Sequence, residues 1–183
     1  MAVAQLWIVR RPIMPSLPLD DNRWSTLWTR DGPAGDVPKQ ISYLLDHPED
    51  EEAFVNLEAA LSSAGVTWSA GFAAAPYIVE MARRLSPARR LIQLQTVGYI
   101  VVYACLDSKD DCYMLQPYLA ESYRQAVRDC LPLLAETLLC EHTPDETECL
   151  LLSAAALKGH IRLAEVLASL DSPEDWSEIL GRT

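Results

Sequence analysis

The stretch "SAGFAAAPYIVEMARRL", residues 69–85, reads as a single helix started by Ser69 with a proline at its centre. Inside a helix a proline has no N–H for one backbone hydrogen bond and presses its ring on the preceding turn, a cost of roughly 3 kcal/mol. A lone case could be an accident of packing. Recurrence would make Pro76 a feature of the architecture.

It does recur. "VPKQISYL" (37–44), "APYIVEMA" (75–82) and "LPLLAETL" (131–138) align on Pro38, Pro76 and Pro132. Each proline is followed by apolar residues three and six positions on: Ile41 and Leu44, Val79 and Ala82, Ala135 and Leu138. A polar turn and a second helix follow each time, predicted over 49–64, 87–106 and 144–158. The periods are 38 and 56 residues, the longer one absorbing the connection after Leu106. Repeated two-helix units of about 40 residues indicate an all-α helical solenoid of about three to four helix pairs.

The remaining punctuation agrees. "LDDNRWSTLW" offers a short helix capped by Asp20 or Asp21, with Trp24, Leu27 and Trp28 on one face. Asp36 precedes a helix that tolerates Pro38 in its first turn. The acidic start of "EDEEAFVNLEAAL" suits a helix N-terminus, and Gly65 supplies a left-handed stop. Ser86-Pro87 opens a helix that is apolar nearly all round and therefore belongs in the middle of the domain. Thr143-Pro144-Asp145-Glu146 fits a capping box. "GHIRLAEVLASL" and "SPEDWSEILG" read as two shorter helices. Residues 1–20, with Pro12, Pro15 and Pro18, form an irregular N-terminal arm, and residues 21–183 a single domain.

A kinked first helix and a straighter second helix in each unit resemble HEAT-type repeats. "WSTLWTRDGPAGDVPKQISYLL" followed by "GVTWSAGFAAAPYIVEMARR" is similar to a group of bacterial HEAT-like proteins. The matching positions are Trp24, Leu27, Gly35, Asp36, Val37, Pro38, Gly65, Ala70, Ala74, Ala75, Pro76 and Tyr77, within residues 24–100. The resemblance implies a component of a toxin–immunity locus, a small cytoplasmic protein that neutralises a cognate toxin.

Composition narrows the partner. Half of the 183 residues are hydrophobic, and Leu and Ala outnumber the β-branched residues, which favours helices. A net charge of −11 argues against nucleic acid or an anionic membrane as a partner held by bulk electrostatics. Residues 107–183 carry 6 basic and 15 acidic groups, a net of −9. The N-terminus lacks the pattern of a signal peptide, and the uncharged run Leu91–Leu106 is too short and polar for a membrane span. Five cysteines at 105, 112, 130, 140 and 149 contain no C-x-x-C pair and read as reduced thiols of a cytoplasmic protein.

No catalytic constellation emerges. The three histidines, His47, His142 and His160, fall at turns or helix ends, without metal spacing. Cys140, His142 and Cys149 match no common zinc pattern, and "DSKDD" (107–111) lacks the glycine and terminal glutamate of a calcium loop. There is no P-loop, nucleophile elbow or dinucleotide fingerprint. The chain thus reads as a non-enzyme, with no cofactor and no metal. Trp7, Trp68 and Trp176 are read as structural.

In a solenoid the intra-repeat turns stack on one edge. Here they are "DHPEDEE" (46–52), "RRLSPARR" (83–90) and "CEHTPDETE" (140–148), carrying −5, +4 and −4. Arg89 or Arg90 is expected to pair with an acid in one of the flanking turns. The surplus acid predicts a basic protein partner, a nuclease-like toxin for instance, met by Asp107, Asp110, Asp111, Glu141, Asp145, Glu146 and Glu148. An adaptor or regulatory subunit with a non-toxin partner is the alternative.

Overall fold

A computed structural model describes residues 16–63, 65–104 and 108–169, and these are mostly helical. A 3-10 turn at Asn22–Thr26 leads to the hairpin β1 (Trp28–Thr29) and β2 (Gly32–Pro33). Then come α1 (Val37–Asp46), α2 (Glu51–Leu61), a second hairpin of β3 (Ser62–Ser63) and β4 (Val66–Thr67), and α3 (Ser69–Arg84). The chain continues as α4 (Leu91–Val102), α5 (Ala120–Thr137), α6 (Pro144–Leu157) and α7 (Ile161–Ala168). Short 3-10 turns at Pro87–Arg89 and Pro117–Leu119 precede α4 and α5. The arm reading falls largely on residues 1–15, and the helix at "SPEDWSEILG" on 172–181. Both lie outside the described residues, as do Trp7, Trp176 and Cys105.

Local chemistry explains the boundaries. Asp21 caps the first turn through Arg23 N–H, and Asp50 caps α2 through Ala53 N–H. The capping box at α6 is complete: the Thr143 hydroxyl accepts from Glu146 N–H, and Glu146 accepts from Thr143 N–H. Asp36 makes no capping bond; its carboxylate pairs with Lys39 instead. The two hairpins are absent from the sequence reading because two-residue strands carry no alternation to read. Their turns are set by Gly32 and Gly65, at φ +128° and +76°, so Gly65 closes a hairpin rather than stopping α2. Trp28 lies exposed in β1 and does not join Trp24 and Leu27 in the core.

The helices pack in a definite order. α3 lies against α1, α4 and α5, while α4 lies against α3, α5 and α6. Every residue from Ser69 to Ala75 is buried. The five small residues Ala70, Gly71, Ala73, Ala74 and Ala75 let neighbouring elements approach α3 closely; a Cβ on Gly71 would lie 3.2 Å from the Leu61 carbonyl oxygen. Glu58 of α2 sits beside Thr96 of α4. The second hairpin is tied to the end of α4 by bonds from Thr67 N–H to the Tyr103 carbonyl and from the Thr67 hydroxyl to that of Ile100.

The proline repeat survives for two units and fails for the third. Pro38 is second in α1 and Pro76 eighth in α3, yet each stands eight residues before its helix ends, at Asp46 and Arg84. Ile41, Leu44, Val79 and Ala82 are all buried, as the alignment requires. α3 therefore resembles α1 with an additional N-terminal stretch, and the orphaned carbonyl at Pro76 is that of Phe72. Pro132 stands five residues before the end of α5, and Ala135 and Leu138 are exposed. Cys130 and Leu134 are buried there instead. The apolar spacing after Pro132 is a coincidence of a leucine-rich stretch.

α4 and α6 approach each other closely at Gly98. A Cβ on Gly98 would lie 2.6 Å from Ser153 Oγ and 2.9 Å from Ser153 Cα, closer than any rotamer change can relieve. Gly98→Ala is expected to destabilise the fold by about 1–3 kcal/mol through overpacking, despite the better helix propensity of alanine. Gly35→Ala, with nothing within 4 Å, is the control and should change little. Urea unfolding of both variants measures the difference.

Burial of Glu58 sets a pH dependence. Desolvation raises its pKa above the ordinary 4.5, against a smaller opposing contribution from Thr96. The folded state thus holds this proton more tightly than the unfolded state. Its contribution to stability is full below pH 4.5 and is lost as pH rises through the folded value. Glu58→Gln should raise the melting temperature at pH 7 relative to the parent, with the gain shrinking at pH 4; thermal melts at the two pH values check it.

Candidate protein-binding edge

The three polar turns do meet along one edge. An Arg84 Nη1–H donates to the Leu45 carbonyl at the end of α1, and Arg83 reaches Asp129 of α5 at 2.7 Å. Arg90, before α4, donates from Nη2 to Glu136 Oε2 at 2.6 Å and from Nε to Thr137 Oγ1 at 3.1 Å. His142, at the start of the following turn, lies 2.7 Å through Nε2 from the Thr137 carbonyl oxygen. The ends of α1, α3 and α5 and the beginnings of α4 and α6 therefore share this side.

The pairing expected for the arginines is corrected. Arg90 pairs with Glu136, in the last turn of α5, and not with an acid in 46–52 or 140–148; Arg89 is exposed and forms no ion pair among the described residues. The reason is burial. The Arg90 side chain is 4% exposed, so its charge needs a partner within short reach, and Glu136, itself 60% exposed, stands at the rim beside it. Arg90 also sits at the positive end of α4, an unfavourable place that Glu136 offsets.

The acids named from sequence fall into two groups. Glu141, Asp145, Glu146 and Glu148 lie on this edge, around the first turn of α6. Asp110 and Asp111 lie at the other end of the helices: the Cys112 carbonyl accepts a hydrogen bond from Ser69 N–H at the start of α3. The length of α4, 12 residues or about 18 Å, separates the two groups. Asp107 lies outside the described residues.

Each group has its own environment. Asp110 Oδ1 accepts from Cys112 N–H, and its N–H donates to the Ser108 hydroxyl, a self-contained turn. Beside it Trp68 packs on Tyr113 with ring centroids 4.9 Å apart, so Trp68 does pack on a neighbouring turn. At the α6 end, hydrogen bonds from the Thr143 backbone, then its side chain, hold Glu146 below the ordinary carboxylate value. Asp145, Glu141 and Glu148 form no ion pair among the described residues. No lysine or arginine occurs between Arg128 and Lys158. The acids of 46–52 likewise form no ion pair with lysine or arginine among the described residues; Asp50 accepts from Ala53 N–H and the Tyr43 hydroxyl.

Among the described residues no three His, Cys, Asp or Glu side chains group to hold a metal ion, and no helix is long and apolar enough to cross a membrane. Cys112, Cys130, Cys140 and Cys149 are free thiols, and burial pushes Cys130 up to about 12. What sequence reasoning missed is a shallow groove of about 500 Å³ beside Glu148, lined also by His142, Pro144, Thr147, Leu151 and Leu167. Only tertiary placement of α7 against α6 creates it. No family model, curated protein or solved structure matches the chain.

Removing the Glu136 acceptor tests what the buried Arg90 charge needs. Glu136→Ala, which leaves the guanidinium only Thr137 Oγ1, is expected to cost roughly 1–3 kcal/mol, the range for hydrogen bonds to charged groups. Glu51→Ala, on the same edge but exposed, should cost less. Chemical denaturation of the two variants decides whether the buried charge needs its partner.

Proposed function

We propose that this chain is a protein-binding scaffold of the HEAT-like kind, an α-solenoid in which α1, α3 and α5 form one row and α2, α4 and α6 the other. In this reading it serves as a cytoplasmic immunity protein that binds and neutralises a cognate basic, nuclease-like bacterial toxin. The support for the scaffold is the packing of α3 between α1 and α5 and of α4 against α6. The shared proline position of α1 and α3 and the hairpin preceding each helix add to it.

The observation that carries the functional part is a charge imbalance on one edge. Arg83, Arg84 and Arg90 are consumed by Asp129, the Leu45 carbonyl and Glu136, whereas Glu49, Glu51, Glu52, Glu141, Asp145 and Glu148 form no ion pair among the described residues. Carboxylates arranged this way repel one another and favour a partner that brings positive charge. Complementary charge of that kind speeds and orients docking, with affinity coming from a desolvated anchor within the patch.

The trial is co-expression with a toxin domain encoded beside the gene, in a sensitive host. Survival and a one-to-one complex are the expected results. Neutralising Glu49, Glu51, Glu141 and Asp145 together should slow association at low salt, with a smaller effect at high salt. If cells die as fast with the protein as without it and no complex forms, the immunity reading fails. A stable complex with a protein that is not toxic would favour the adaptor reading.

A further inference from the structure

Helix α7 is amphipathic, and only part of its apolar surface is covered. Its neighbours are α6 and, to a smaller extent, α4. Ala164 is buried in that contact, with Leu167 and Ala168 partly buried beside it. Leu163 and Val166 are 53% and 43% exposed, and with Leu167 they stand at spacings of three and four, so the three form one stripe. The stripe continues onto α6, because Leu167 shares the shallow groove with Leu151, itself 49% exposed. Three of the nine exposed large hydrophobics among the described residues are thus on one face, the pattern of a surface that something covers rather than of scattered side chains.

The sequence supplies a cover of matching kind. Residues 170–183 follow α7 directly, and the end of α7 at Ser169 is the end that carries Leu167 into the groove. Within them "SPEDWSEILG" (172–181) has a serine cap, a proline at the first helical position, acids in the first turn and a glycine stop. Trp176, Ile179 and Leu180 are spaced by three and four, an apolar stripe opposite Glu174 and Glu178. A helix over 173–180 has the same eight residues as α7, or about 12 Å each. The connection 169–172 has a length that joins antiparallel helices. Any other occupant of this face competes with a segment that its own attachment holds at high local concentration.

We infer that residues 172–181 form a helix that lies back along α7, covering Leu151, Leu163, Val166 and Leu167 with Trp176, Ile179 and Leu180. A terminal repeat needs such a cover. Charge opposes the seat, because Asp171, Glu174 and Asp175 arrive on the side of Glu141, Asp145 and Glu148. Apolar burial is therefore what holds the segment, and salt, by screening the like charges, tightens it. A basic partner on the acidic edge responds to salt in the opposite sense. The inference does not depend on the toxin reading, and it removes the α7 face from the surface open to a partner.

Nuclear Overhauser contacts and amide exchange in the intact 183-residue chain, labelled at Leu and Val methyl groups, test it. Contacts from the Trp176 indole to the Leu163 and Val166 methyls are expected within one chain, and none between chains in a mixture of labelled and unlabelled protein. Trp176→Ala and, on the facing helix, Leu163→Asp should each speed exchange across 172–181 at least about tenfold, while exchange in α3 and α4 changes by less than about twofold. Protection across 172–181 in the parent should rise with salt. If Leu163→Asp also loosens α3 and α4, Trp176→Ala decides alone, since it leaves every described helix untouched. Unprotected amides across 172–181 in the parent overturn the inference, as does protection that survives Trp176→Ala. Indole contacts found only between chains overturn it too and give the face to a second copy. Protection that falls with salt does the same, because charge rather than apolar burial would then hold the segment.

Discussion

A buried helix start organises this protein. α3 begins inside the fold, where its first backbone N–H groups cannot reach water and must find acceptors. Ser69 N–H donates to the Cys112 carbonyl at 2.7 Å, and the Ser69 hydroxyl accepts from Trp28 N–H at 2.9 Å. One residue therefore joins the first hairpin, the central helix and the turn before α5. Trp68 N–H donates to the Leu61 carbonyl, and Thr67 ties the second hairpin to the end of α4. The small residues among Ala70 to Ala75 then allow the flanking helices to close on α3. Such a junction leaves little freedom in how successive helix pairs are placed.

The same junction shows where sequence reading succeeds and where it stops. Ser69 reads as the cap of a helix, but it is the first residue of α3, and Trp68 holds the cap position with no side-chain capping bond. The Ser69 hydroxyl serves a strand 41 residues away, and no local pattern reports that. The caps that bind their own helices, at Asp21, Asp50 and Thr143, follow local rules because donor and acceptor are within three residues of each other. Pro38 and Pro76 are legible as a pair because periodicity fixes which positions face the core. Pro132 misleads for a related reason: in "CLPLLAETLL" almost any offset finds an apolar residue, so spacing alone cannot choose the buried face.

The acidic edge is legible as charge and illegible as shape. Counting acids in the turns shows where charge accumulates, since successive helix pairs bring those turns to one side. It cannot reveal that Arg90 is drawn inward to Glu136 and Thr137, because that depends on the reach of one long side chain across two helices. Nor can it divide Asp110 and Asp111 from the acids of 141–148, which are at opposite ends of α4. The groove at Glu148 requires α7 to be seated, and in sequence its carboxylate looks like any other on an acidic helix.

The close approach at Gly98 has a consequence for how this sequence can drift. Gly98 and Ser153 are 55 positions apart, yet the space at their contact is shared. Part of that space is occupied by Ser153 Cα, which every residue carries, so a smaller residue at 153 relieves Gly98→Ala only in part and the two helices must also move apart. Exposed acids face no such coupling and can be exchanged one at a time. The charge of the edge can therefore change quickly, while the seam between α4 and α6 stays closed to any larger residue at 98.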